Sequence, residues 1–331
     1  MLAAMSTPAL AACGGQVDPP VDPDGGSNDA SQPPDSGSQC RTSGLPDGSA
    51  PACGWVVDFI GSAASCGFPT DGGPISTELC TKLCGPSSGN QPTTYCTIED
   101  ATHLRCGSFC TGRVPEGLRA PSVVHTSAVA EFFARAAYLE AASIDAFYIL
   151  HDELKAHGAP LALRRASLRA AEDEVRHARM TAGLARRFGG TVEDAVVVRG
   201  PVRSLFAIAL ENAVEGCVRE TWGAVLAAWQ AEHAEDRLVR AALRTIAEDE
   251  ARHALLGWKV AAWAEDQLEA VERQRVQSAR SRAIDELMLA LAVSPEESLV
   301  RDAGLPRAAE ALALAGSLFG ELDGRLASRA A

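Results

Sequence analysis

The sequence predicts a mainly α-helical protein: a bundle of four long helices, the second and third joined by a long crossover, preceded by a small disulfide-rich module. Three observations predict it. From about residue 122 the chain turns to Ala, Leu, Glu and Arg, all strong helix formers, broken at intervals by Gly and Pro. An eight-residue segment, Ala171-Glu-Asp-Glu-Val-Arg-His-Ala178, returns 76 residues later as Ala247-Glu-Asp-Glu-Ala-Arg-His-Ala254 with seven identities. Eight cysteines crowd into residues 40–110.

Taken in order, residues 1–13 read as an export signal. Met1 to Ala12 is apolar and small, and Leu10-Ala11-Ala12-Cys13-Gly14 has the form of a bacterial lipobox, with Cys13 the lipidated residue. A secretory peptide cut after Ala9-Leu10-Ala11 is the alternative. The charged n-region is missing, which leaves the start of translation open. Residues 14–39 hold five Pro, five Gly, five Asp and four Ser. Such a composition cannot bury a core and reads as a disordered tether. The expected location is the periplasm or cell surface, with the membrane reached through the lipid anchor alone.

Residues 40–115 form the cysteine-rich module, with Cys40, Cys53, Cys66, Cys80, Cys84, Cys96, Cys106 and Cys110 spaced by Gly, Pro, Ser and Thr. In an exported chain an even count in so short a stretch reads as a disulfide framework. Eight cysteines allow 105 pairings, so the connectivity stays open. Zinc is the rival reading, but no Cys-x-x-Cys pair occurs here. The same absence excludes a rubredoxin-like iron centre, so no built-in electron donor is expected.

The bundle is placed at 122–292. Its first helix is expected at about 125–156, stopping at His157-Gly158 before Pro160, and its second at about 160–188, stopping at Gly189-Gly190. A connection over 191–200 follows. Pro201 suits the first turn of a third helix, which runs to about 232, and a tight turn near Glu235-Asp236 opens the fourth. About a dozen connecting residues at roughly 3.3 Å each reach about 40 Å, close to the length of these helices. The order of connections is therefore short, long, short. Pro295 and Pro306 punctuate a weaker helical region at 293–331.

The repeat carries the chemistry. Residues three apart share a helix face, so Glu174/His177 and Glu250/His253 each aim a carboxylate and an imidazole at one point. Laying Tyr138–Phe147 on Ala213–Trp222 pairs Glu140 with Glu215 and Asp145 with Glu220. Four carboxylates (Glu140, Glu174, Glu215, Glu250) with two imidazoles (His177, His253) are the ligand set of a dinuclear iron or manganese site in a four-helix bundle. Glu211, one turn before Glu215, competes as an extra ligand or as a supporting acid. A buried lone carboxylate such as Glu140 costs several kcal/mol unless paired or metal-bound.

On these residues, 125–265 resembles the ferritin-like di-iron carboxylate superfamily, particularly members with Asp-Glu-x-Arg-His on both ligand helices, as in bacterial multicomponent monooxygenases. The resemblance implies a ferritin-like bundle holding two iron ions, with manganese a possible substitute, and Asp173 and Asp249 orienting the ligand histidines. It also implies reaction with dioxygen and an external electron donor. Three readings follow: an oxidase or oxygenase of a small substrate, a ferroxidase or iron-handling lipoprotein, and a non-enzymatic binding protein whose metal stabilises the bundle. The net charge of -13, with Arg41, Lys82 and Arg105 the sole basic residues among the first 110, argues against nucleic acid. Oligomeric state is left open.

Overall fold

The computed structural model describes residues 41–42, 54–60, 66, 68, 75, 77–84, 95–98, 103–107, 113–119 and 127–330. The expectations on Cys13, Cys40, Cys53 and Cys110, and on segments 1–13 and 14–39, lie outside these residues.

The cysteine-rich module has regular structure that cysteine spacing did not announce. Strands β1 (Arg41–Thr42), β2 (Gly54–Ile60), β3 (Tyr95–Ile98) and β4 (His103–Gly107) form an antiparallel sheet in the order β1-β2-β4-β3. Helix α1 (Thr77–Cys84) is stapled to it by Cys80–Cys96 and Cys84–Cys106. Cys80 and Cys84 are one turn apart, so both thiols leave α1 on one face. Cys66 is disulfide-bonded as well. Phe68, Leu83 and Leu104 pack with the bridged sulfurs, and Ile75 and Leu79 lie against them. Bridges spanning 16 and 22 residues each contribute about 3 kcal/mol on a chain-entropy account, which offsets so small a core.

The rest is helical: α2 (Ala128–Ala156), α3 (Leu161–Arg187), α4 (Leu205–Val214), a π turn (Glu215–Arg219), α5 (Glu220–His233), α6 (Arg237–Glu265), α7 (Ala270–Leu291), α8 (Glu297–Asp302) and α9 (Ala308–Ala330). Local chemistry sets the ends. Ser127 caps α2 by accepting from the Ala130 N–H, and Ser204 caps α4 through Ala207 N–H. Because Ser204 takes the cap, the third helical segment begins at Leu205 rather than at Pro201. Gly158 and Gly189, at φ of 73° and 82°, end α2 and α3. A capping box of Glu269 and Glu272 restarts the chain as α7 after α6 stops at Glu265.

Helices α2 and α3 pack along their length, as do α5 and α6, and α3 meets α6 between the two pairs. Two apolar clusters divide this interior. Phe133, Leu184, Val239 and Ile246 fill one end; Phe147, Leu150, Leu154, Leu163 and Val260 fill the other. On α2, Glu140 stands midway between Phe133 and Phe147. The C-terminal region packs on the same body, with Ala311, Ala315 and Phe319 against Val218, Trp222 and Leu226. Among the described residues no helix is long and apolar enough to cross a membrane.

The π turn meets α6 backbone to backbone. A Cβ on Gly257 would stand 2.5 Å from the Gly216 carbonyl oxygen. Gly257→Ala is therefore expected to cost about 1–3 kcal/mol through forced separation of the two segments, read as a lower urea midpoint with unchanged slope. Asp236 caps α6 through Leu238 and Val239 N–H and pairs with Arg187 at 2.6–2.8 Å. Burial works against its charge, but these donors win and hold its carboxyl below the usual range. A depressed folded pKa stabilises above the unfolded value, near pH 4, and the gain is lost as pH falls through the folded one. Asp236→Ala should cost about 1 kcal/mol at pH 7, and the deficit should shrink in unfolding curves taken near pH 3.

Candidate metal centre

Six buried or nearly buried side chains converge between the apolar clusters. Glu140 comes from α2, Glu174 and His177 from α3, Glu220 from α5, and Glu250 and His253 from α6. Ligand atoms of Glu140, Glu174, His177 and Glu250 lie within 4.8 Å of one another, as do those of Glu220, Glu250 and His253. Glu250 belongs to both groups. Its Oε1 stands 3.3 Å from His177 Nδ1 and 3.5 Å from His253 Nδ1. Glu174 bridges in the same way, 3.1 Å from His253 Nδ1 through one oxygen and 3.7 Å from His177 Nδ1 through the other. The two imidazole centroids are 5.7 Å apart.

The far nitrogens are tied crosswise. His177 Nε2 meets Asp249 at 3.0 Å, and His253 Nε2 meets Asp173 at 3.3 Å, so each aspartate serves the histidine of the other helix. Arg176 bonds Asp173 and Asp249 at 2.5 and 2.8 Å, and Arg252 bonds the same two carboxylates. The half-exposed guanidiniums thus close the outer side of the cluster. An imidazole that donates its Nε2–H outward presents the lone pair of Nδ1 inward, towards the four glutamates. Burial opposes charge on Asp173 and Asp249, but hydrogen bonds from His253 and His177, with the arginines, hold both below the ordinary carboxylate range.

Inside, charge is out of balance. Burial, reinforced by Glu174 for one and Glu250 for the other, pushes Glu140 and Glu220 well above the usual range. Burial works against charged imidazoles, yet the surrounding carboxylates pull both histidines upward. Several atoms find no hydrogen-bond partner: Nδ1 of His177 and of His253, Glu174 Oε2 and both carboxylate oxygens of Glu220. Buried polar atoms are rarely left so. Every one of them faces the common point, and a divalent cation would satisfy lone pairs and charge together. The residues present therefore fit a metal ion.

Two sequence expectations need correction. Glu215 lies outside the cluster: it opens the π turn, accepts from the Val114 N–H at 3.1 Å and pairs with Arg219 at 2.6 Å. Glu220 stands in its place. The offset of 75 assumed that both hairpins are equally long, whereas Glu140 and Glu174 are 34 residues apart and Glu220 and Glu250 are 30, because α2 runs about one turn further past its glutamate than α5 does before the chain turns back. The turn at 234–236 held the better signal: Glu220 and Glu250 are equally far from residue 235, so an antiparallel hairpin sets them level. Glu211 is not a supporting acid either; it pairs with Arg113 at 3.1 Å and with Arg203. Asp145, aligned with Glu220, pairs with Arg199 at the surface. Cys217 is buried and free, its thiol pushed up to about 12 by burial, which makes it inert.

A cavity of about 40 Å³ adjoins the cluster, reached by Glu140 and Glu250 and walled by Phe132, Phe133, Thr181 and Gly223. The Thr181 hydroxyl donates to the His177 carbonyl at 2.7 Å, turning its oxygen lone pairs to the space.

No family model, curated protein or solved structure matches this chain. Its reading rests on the geometry above. Replacing Asp249 or Asp173 by Ala frees the opposite imidazole, and affinity for a divalent metal should fall by roughly 10–100-fold in either variant, measured by anaerobic Fe(II) titration.

Proposed function

We propose that residues 127–292 form a ferritin-like four-helix bundle holding two iron ions, or manganese in their place, and that the protein is an oxygen-reacting oxidase or oxygenase at the cell envelope. One observation carries the reading. Two buried imidazoles share two carboxylates, and their inward nitrogens lack hydrogen-bond partners. Oxygen donors with two imidazoles suit iron and manganese among the common ions. Glu140, Glu174, His177 and Glu250 would hold one ion; Glu220, Glu250 and His253 would hold the other, with Glu174 able to reach both.

Bound iron would supply reducing electrons to dioxygen. The chain's own residues do the remainder. Asp173 and Asp249 hold the protons of the imidazoles on Nε2, leaving Nδ1 free. Glu140 and Glu220 flank the shared pair, one on the side of each ion. Phe132 and Phe133 give the cavity an aromatic wall, and Thr181 lines it as well. In the oxidase or oxygenase reading, electrons would come from an external donor.

Export as a lipid-anchored protein is supported by the lipobox form of Leu10–Cys13, the tether composition of 14–39 and the disulfides Cys80–Cys96 and Cys84–Cys106 of the cysteine-rich module. Ferroxidase activity is a second reading, favoured by cavity size. By the 10–15 Å³ that each water needs, about 40 Å³ holds roughly three waters. Dioxygen fits such a space.

The test uses the full chain. Metal is removed, Fe(II) is added without oxygen, oxygen is admitted, and absorbance and oxygen consumption are followed. The expected result is two irons per chain and an iron charge-transfer band that is lost in Glu174→Ala and Glu250→Ala. Turnover of excess Fe(II) without further reductant would select the ferroxidase reading. Iron that binds but consumes no oxygen would leave the metal a purely stabilising part and overturn the enzymatic readings.

A further inference from the structure

We infer that residues 113–119, which follow the cysteine-rich module, are a strap that positions Glu220 by clamping the π turn, so that the ion held with Glu220 depends on the strap more than the other ion does. This rests on the two-ion reading above.

The strap is anchored at both ends. Arg113 is 1% exposed; its guanidinium donates to Asn212 at 3.3 Å and Glu211 at 3.1 Å and lies 5.9 Å over the Phe147 ring. Its carbonyl accepts from Ser143 Oγ at 2.9 Å. Further on, Arg119 N–H donates to the Val196 carbonyl and Val198 N–H to the Gly117 carbonyl, each at 3.0 Å, and Tyr138 donates to the Arg119 carbonyl. The segment is thus fixed to α2 and to the connection between α3 and α4. Burying a guanidinium costs several kcal/mol unless it is paired, so its placement here has a definite structural object.

That object is the π turn. Val114 N–H holds the carboxylate of Glu215, the first residue of the turn. Closing the turn, Glu220 N–H bonds the Glu215 carbonyl, so the backbone that carries the Glu220 side chain hangs from the residue that the strap grips. Asn212, gripped by Arg113, also donates to the Gly257 carbonyl of α6 at 2.8 Å. Helix α6 bears Glu250 and His253. One network therefore sets Glu220 against the two residues with which it shares an ion. Of the other ion's residues, Glu140, Glu174 and His177 sit on α2 and α3, uninterrupted helices with no π turn. A helical turn of this wider kind needs outside support, and such turns are commonly kept where they re-aim a functional side chain.

The experiment titrates Co(II) into the metal-free full chain without oxygen and follows the visible absorbance, with circular dichroism to show that each variant is folded. The wild type should bind two ions. Arg113→Ala should keep one at near wild-type affinity and bind the other at least tenfold more weakly. Arg113→Lys, which keeps the charge but not the planar fork, should restore part of the loss. If Arg113→Ala does not fold, Val114→Pro, which deletes the N–H that holds Glu215, is titrated with the same expectation. Two ions bound at wild-type affinity, or both weakened equally, would overturn the inference while leaving the metal centre standing. A wild type that binds no Co(II) and no Fe(II) would overturn the two-ion reading itself.

Discussion

Four glutamates, two histidines and two aspartates packed between apolar layers need positive charge, and the helical body is arranged around that need. Stripping an ion of water costs several kcal/mol even after relaxation. Arginine meets part of the demand from outside, where Arg176 and Arg252 each span both aspartates. Nothing meets it inside but the imidazoles and whatever cation they and the glutamates hold. The apolar clusters at Phe133 and Phe147 sharpen the demand, because they offer the charges no polar partner at either end. Folding and metal capture are on this account coupled: the same carboxylates that repel one another in an empty interior become the strongest link between four helices once an ion sits among them.

The parts beyond the paired helices hold that interior closed. Helices α7 and α9 cover the side of α5 that faces away from the cluster, burying Trp222 and Val218. The segment leaving the cysteine-rich module covers the side where α2 and α4 part. The module boundary drawn at 115 therefore cuts through a piece of the helical body, since Arg113 and Val114 are fastened to α2, α4 and the π turn. A small disulfide-stapled unit cannot contribute much apolar core, but it can present one rigid backbone segment, and that is the part the helices use.

What could be read beforehand was whatever is written locally. Glu174, His177, Glu250 and His253 were legible because spacing by three puts side chains on one face whatever the surroundings, and because the motif occurs twice. The ends of α2 and α3 were legible because Gly158, Pro160 and Gly189 act within one turn. Glu220 was not, because the second hairpin is four residues shorter between its glutamates than the first, 30 against 34, and laying one half on the other without a gap cannot show that. Arg113 was invisible for a different reason: its burial is conferred by Asn212 and Glu211, about a hundred residues on, and an arginine flanked by Gly and Val reads as surface. The strands of the cysteine-rich module were passed over because the cysteine spacing was read first, although Trp55, Val56, Val57, Phe59 and Ile60 are β-forming residues in a single run. Asp173 and Asp249 were expected beside the histidines, but the exchange between helices was not, since a repeat read along one chain suggests that each copy serves itself.

That exchange changes what the repeat is. Asp173 reaches His253 and Asp249 reaches His177, the reciprocal pattern of a two-fold symmetric contact between identical subunits. The two copies behave as a dimer enclosed in one polypeptide, with residues 188–204 as the tie. Neither hairpin can complete its own histidine, so a half-length chain would have to find a second copy of itself before it had a site at all. The covalent tie removes that concentration dependence, and the two halves need not be alike: the π turn and its Glu215–Arg219 pair belong to the second alone.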